Sequence, residues 1–112
     1  MAANRFRILF LIVILVLIAA VPASASSPDA NLRVKIVDFA FRPRTVMGIV
    51  GDTVTWRNNG AQMHTSSSFD FLWDSGILNP GDTFSRTFDA AGTFRYYCDV
   101  HPFMTARVII NP

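Results

Sequence analysis

The chain has 112 residues, 51% of them hydrophobic and 16% charged, with a formal net charge of +2. That length holds one modest domain, and so small a charge excess gives no basic patch for nucleic acid. A lone cysteine cannot close an internal disulfide, which leaves a reactive thiol, an intermolecular partner or a metal ligand.

Arg5 and Arg7 precede an unbroken apolar run over residues 8–21, and Ala23-Ser24-Ala25 forms a small-residue cleavage pattern. The run is shorter than the roughly 20 residues that span a bilayer. Residues 1–25 therefore read as a signal peptide, although an uncleaved anchor leaves the same trace. Cleavage predicts an exported protein in the periplasm or on the extracytoplasmic face, with no stable membrane insertion. In residues 26–112, eight cations balance eight aspartates, so the whole excess belongs to the leader.

Residues 26–31 are polar, contain Pro28, and read as a flexible mature N-terminus. From residue 32 to residue 112 the pattern is that of a single domain. Leu32, Val34 and Ile36 alternate with Arg33 and Lys35, which predicts a half-buried strand. Phe39 and Phe41 flank Ala40 before Pro43 stops the run. Residues 45–50 form a second short segment, ended by Gly51-Asp52. Residues 53–57 alternate again, and Asn58-Asn59-Gly60 is a strong turn signal.

The stretch 69–78 has aromatics without a period, which predicts a long loop with a short helical turn. Residues 83–88 read as a strand, but Arg86 shares a face with Phe84 and Phe88, a conflict that a bulge or an edge position resolves. Residues 93–98 form the next strand, with Phe94, Tyr96 and Cys98 on one face. The last strand, 105–111, presents Ala106, Val108 and Ile110 together. Short strands separated by Gly, Pro and Asn turns describe an all-β fold, a small sandwich.

The chemistry concentrates in residues 96–104. Cys98, His101 and Met104 stand at i, i+3 and i+6, and all three can face one point if the segment loops. His64 must join them from elsewhere in the fold. Two histidines, one cysteine and a weak axial methionine are the ligand set of a blue-copper centre. The thiolate is a soft, covalent donor, the imidazoles accept both copper oxidation states, and a distant thioether tunes the potential. Each residue has a duller reading: a buried thiol, ordinary histidines, a gap-filling methionine. Their joint occurrence favours copper over a zinc or metal-free site.

These motifs resemble the cupredoxins of the plastocyanin, pseudoazurin and amicyanin group. Gly51-Asp52-Thr53-Val54-Thr55-Trp56, Asn58-Asn59-Gly60 and His64-Thr65 are similar to the approach to that family's first histidine ligand. Asn79-Pro80-Gly81-Asp82-Thr83-Phe84 and Gly92-Thr93-Phe94-Arg95-Tyr96-Tyr97-Cys98 are similar to the approach to its cysteine. The short Cys98-x-x-His101-Pro102-Phe103-Met104 loop is most like amicyanin.

The resemblance implies a Greek-key β-sandwich holding one copper ion, with His64, Cys98 and His101 as strong ligands and Met104 as the weak axial one. Thr65 stands where the family often has an asparagine that braces the cysteine loop, and Asp99-Val100 departs from the usual Thr-Pro or Ser-Pro. The implied function is one-electron transfer between larger redox partners, not enzymatic catalysis, because protein donors fill all four positions. Redox partners are expected to dock on a monomer near His101, Pro102 and Phe103, with Met63 adjoining. Copper storage or delivery is the alternative; such sites favour methionine-rich or multi-cysteine sets, and only Met47 and Met63 are spare in residues 26–112. An adhesion or scaffold sandwich is a third class, in which the spacing would be coincidence.

Overall fold

A computed structural model describes residue 14 and residues 31–112. The expected signal segment, residue 14 apart, and residues 26–30 lie outside the described residues. The strands are β1 (Asn31–Val37), β2 (Ala40–Arg42), β3 (Thr45–Ile49), β4 (Thr53–Asn58), β5 (Ser67–Ser68), β6 (Thr83–Thr87), β7 (Gly92–Tyr97) and β8 (Thr105–Asn111). They form two four-stranded sheets in the orders β2-β1-β4-β6 and β3-β8-β7-β5. β1 runs parallel to β4 and β3 parallel to β8, while the other pairs are antiparallel. The chain changes sheet at every connection from β2 to β7, which makes the expected small Greek-key sandwich.

The alternating strands bury the residues their period predicts. Val34, Ile36, Phe41, Val54 and Trp56 from one sheet meet Val46, Tyr96, Ala106, Val108 and Ile110 from the other. Trp56 is fully buried and lies 5.8 Å from Trp73, 5.8 Å from Phe84 and 5.4 Å from Tyr96, ring centre to ring centre. Tyr96 also meets Phe41 edge-on at 4.7 Å. Aromatic pairs in these offset and edge-on arrangements add to what area burial supplies. Burial pushes the Tyr96 phenol well above its ordinary range.

Arg86 takes the edge solution. β6 is the outer strand of its sheet, and its pairing with β4 runs over five consecutive positions without a bulge. The guanidinium lies over the rings of Trp73 and Phe88, at 5.2 and 5.4 Å, and donates to the Leu72 carbonyl. An edge strand leaves room for that long stem to lie along apolar rings.

The expectation of a helical turn in 69–78 is not met. Ser66, Ser67 and Ser68 are buried, and β5 pairs with β7. Trp73 Nε1 donates to Ser66 Oγ at 3.0 Å, and the Ser66 N–H donates to Ser75 Oγ at 2.8 Å. Isolated bridges join His64 to Leu78 and Ser67 to Asp74. Serine hydroxyls satisfy the polar groups of a folded-back loop, and that loop plugs Trp73 into the core.

Asn58 anchors the segment that leads to His64. Its Nδ2 donates to Gln62 O at 2.7 Å and Leu78 O at 2.8 Å, and its Oδ1 accepts from Gly60 N at 2.9 Å. The side chain is fully buried. Asn58→Ala removes three hydrogen bonds at once and leaves a void at a fully buried position. We expect a loss of about 2–4 kcal/mol, read from urea unfolding midpoints; an unchanged midpoint would mean that this anchor is dispensable.

Candidate metal centre

β7 ends at Tyr97 and β8 begins at Thr105, so residues 98–104 close the turn between paired strands. Cys98 N donates to Met104 O at 3.1 Å, and Met104 N donates to His101 O at 2.9 Å. That closure brings His101 Nδ1 to 3.8 Å from Cys98 Sγ. His64 arrives from the other side of the sandwich, clamped by two backbone hydrogen bonds with Leu78 at 3.1 and 2.8 Å. Its Nδ1 stands 3.7 Å from Cys98 Sγ and 3.2 Å from His101 Nδ1. The three donor atoms lie within 4.8 Å of one another.

This spacing is the size of a metal site. With bonds of about 2.0–2.1 Å to nitrogen and about 2.3 Å to sulfur, donors spread around one ion stand roughly 3.3–3.8 Å apart. His64 and Cys98 are buried and His101 is half-buried. Met104, the remaining residue expected at the site, is also buried, at the foot of the same loop.

Asp38, which the sequence analysis did not single out, orients His64. A three-residue turn, closed by Phe39 N donating to Val37 O at 2.9 Å, carries it out of β1. Its Oδ1 lies 2.9 Å from His64 Nε2, on the ring edge opposite the metal-facing nitrogen. A carboxylate there accepts the Nε2 proton and leaves the Nδ1 lone pair free for a metal. Ala61 N and Gln62 N also donate to Asp38, at 3.0 and 3.2 Å. The His64 hydrogen bond, then the Ala61 N–H, hold this carboxyl below the usual carboxylate range. Gly60 allows the approach, because a Cβ at that position would collide with the Asp38 carboxylate. The one trace in the sequence is that Asp38 and Phe39 break the alternation of β1.

Thr65 performs the bracing at the family's asparagine position, despite its shorter side chain. Its N–H donates to Cys98 Sγ at 3.3 Å, and its Oγ1 accepts the Asp99 N–H at 2.7 Å. A further hydroxyl contact with Ser67 at 3.0 Å fixes it in place. Asp99 thus serves through its backbone.

Aromatic rings surround the half-exposed edge of His101. Phe39 meets it edge-on at 5.2 Å, and Phe103 lies 6.1 Å away. Phe103 is 70% exposed, so it points into solvent instead of packing inward. Phe39 holds φ at 99°, a conformation bulky residues avoid, and is the second residue at the site that sequence reasoning did not find. Met63 and Val100 are exposed as well.

A model of the cupredoxin-like domain family matches residues 7–110. Amicyanin of Paracoccus denitrificans is 32% identical over 94 residues, covering 80% of this chain and 72% of the relative. The chloroplast plastocyanin of Tetradesmus obliquus is 31% identical over 101 residues, covering 79% and 70%. Among solved structures, the purple cupredoxin of Nitrosopumilus maritimus superposes with a TM-score of 0.69 at 29% identity, over 71% of this chain and 99% of its own.

Removing the Asp38 carboxylate should weaken metal binding at the site by about 10–100-fold, as losses of such supporting partners do. Competition with a chromophoric chelator, comparing Asp38→Ala with the unaltered protein, measures it. An unchanged affinity would show that the His64–Asp38 contact does not support the ligand.

Proposed function

Given that the chain belongs to the cupredoxin-like family and has one copper ion as its cofactor, we propose that it is an exported one-electron carrier whose copper is held by His64, Cys98 and His101, with Met104 as the weak axial ligand. The observation that carries this reading is the convergence of His64 Nδ1, Cys98 Sγ and His101 Nδ1. It is a carrier rather than an enzyme, in keeping with relatives of the amicyanin and plastocyanin type.

Bound copper supplies a reversible one-electron couple between Cu(I) and Cu(II). The protein does the rest. Asp38 and Leu78 fix the His64 ring, and Thr65 N–H supports the Cys98 sulfur. Burial of His64, Cys98 and Met104 excludes water from the donors. Donors held by a rigid frame move little when charge changes, so the reorganisation cost of transfer stays small. His101 is the half-exposed member, and its edge, flanked by Phe39 and Phe103, is the proposed exit for the electron. An apolar contact of this kind, with Pro102 and Met63 adjoining, suits a partner that must release quickly.

Colour tests the centre. Protein loaded with Cu(II) should show an intense thiolate-to-copper band that ascorbate bleaches, and Cys98→Ser should abolish it. Met104→Leu should keep the band and raise the reduction potential, because a donor to the oxidised ion is lost. Retention of the band in Cys98→Ser would overturn the ligand assignment, and copper loss in Met104→Leu as severe as in His64→Ala would overturn the axial role.

The exit is tested without any partner by electron self-exchange between two copies, followed by NMR line broadening. Phe103→Asp should leave the visible band in place and slow exchange by about tenfold or more, because it brings like charges together at the contact. An unchanged rate would move the exit elsewhere.

Export rests on residues 1–25, with 26–31 as the mature N-terminus and 32–112 as the domain. N-terminal sequencing of protein recovered outside the cytoplasmic membrane should begin at or near Ser26. Recovery of Met1 in a detergent-soluble fraction would favour an anchor.

A further inference from the structure

The outer face of the β3-β8-β7 sheet gathers three arginines where strand pairing disfavours them. Arg95 on β7 is the direct cross-strand neighbour of Arg107 on β8, and Thr45 on β3 flanks Arg107 on the other side. Like charges directly opposite each other destabilise a sheet. Arg44 joins them from the residue before β3, its backbone carbonyl accepting from Arg107 N at 2.9 Å.

Each cation is steered by neutral groups. Arg44 Nε and Nη2 donate to Thr105 O and Oγ1 at 3.3 and 3.2 Å. Arg107 Nε donates to Thr45 Oγ1 at 3.1 Å, and the Arg95 guanidinium lies 5.6 Å over the Phe69 ring. Among the described residues no carboxylate pairs with any of the three; the ion pair there is Asp38 with His64. Asp52, Asp74 and Asp82 are engaged instead by N–H donors two or three residues away, and Asp38 by the Ala61 and Gln62 N–H groups of the segment after β4. Residues 26–112 carry no formal net charge, and among the described residues no carboxylate forms an ion pair with these three arginines, which makes them a local excess of positive charge.

The arginines line an open groove of about 500 Å³. A second, smaller hollow lined by Phe39 and Phe103 shares Arg44 and Thr105 with it. The basic groove therefore runs into the aromatic rim beside His101. All three guanidinium stems are exposed, so a small ion would keep most of its water there. A broad surface that brings several carboxylates at once fits better.

We propose that Arg44, Arg95 and Arg107 form a docking groove for a carboxylate-rich face of a protein redox partner, which the groove orients over the rim at His101. This builds on the electron-carrier reading. It assigns the charge of the partner, which that reading leaves open.

The test uses the copper(I)-loaded protein and three probes followed by amide NMR shifts: poly-L-glutamate, inorganic phosphate and phosphatidylglycerol vesicles. Poly-L-glutamate at low salt should shift Thr45, Arg95, Thr105 and Arg107, and 0.3 M salt should suppress the effect. Arg95→Glu/Arg107→Glu should weaken binding by about tenfold or more, since each exposed ion pair is worth up to about 1 kcal/mol. Arg95→Glu alone replaces a repulsive pair with an attractive one, so its melting temperature should not fall. A marked fall would show that the arginines are structural and would overturn the proposal. So would equal shifts with phosphate, binding to vesicles but not to poly-L-glutamate, or no shifts confined to the groove. A protein without the blue band that still binds poly-L-glutamate would count against the carrier reading and support the groove. A blue protein that does not bind it would count against the groove alone.

Discussion

A histidine and a cysteine 34 positions apart present donor atoms 3.7 Å from each other, and a second histidine nitrogen stands 3.2 Å from the first. Lone pairs gathered this closely are unfavourable unless a cation or proton lies among them, so the framework must hold them there. Two features of the framework make that feasible. The loop from Cys98 to Met104 is short and closed by its own backbone hydrogen bonds, which leaves little entropy to lose. His64 is fixed by Leu78 through its backbone and by Asp38 through its ring. The sandwich ties these two pieces together through the buried contacts of Trp56, Trp73 and Tyr96.

Orientation and donor strength come from the same contacts. A carboxylate on Nε2 fixes the tautomer of His64 and makes the imidazole a better donor. The Thr65 N–H acts in the opposite sense on Cys98, withdrawing charge from the sulfur it donates to. The site is thus a balance between a strengthened imidazole and a moderated thiolate, and both adjustments are made by residues that would touch no metal.

Charge is distributed unevenly over a chain whose residues 26–112 sum to zero. The metal end carries an aromatic rim and the Asp38 carboxylate, which His64 and two loop N–H groups absorb. The outer face of β3, β8 and β7 carries arginines that no carboxylate among the described residues pairs with. Net charge is therefore a poor guide to steering in this molecule, because the field near a surface follows local clusters within a Debye length of about 10 Å.

The alternating strands, the turn at Asn58-Asn59-Gly60, the single-domain sandwich and the Cys98-His101-Met104 loop were legible in the amino-acid order. These features rest on period, on turn chemistry or on separations of a few residues, where the backbone alone limits what can meet. His64 was legible as a candidate ligand only by its type and by resemblance. The folded serine loop was not legible, because its polarity imitates exposure until Trp73, Ser75 and β7 are in place around it. Asp38 reaches His64 across 26 residues, and Thr65 reaches the Asp99 backbone across 34. Arg44, Arg95 and Arg107 come together only because β8 lies between β3 and β7. Periodicity tells which face of a strand is buried, but the strand beside it is chosen by packing of the whole chain, and that choice brought Asp38, Leu78 and Thr65 to the candidate ligands.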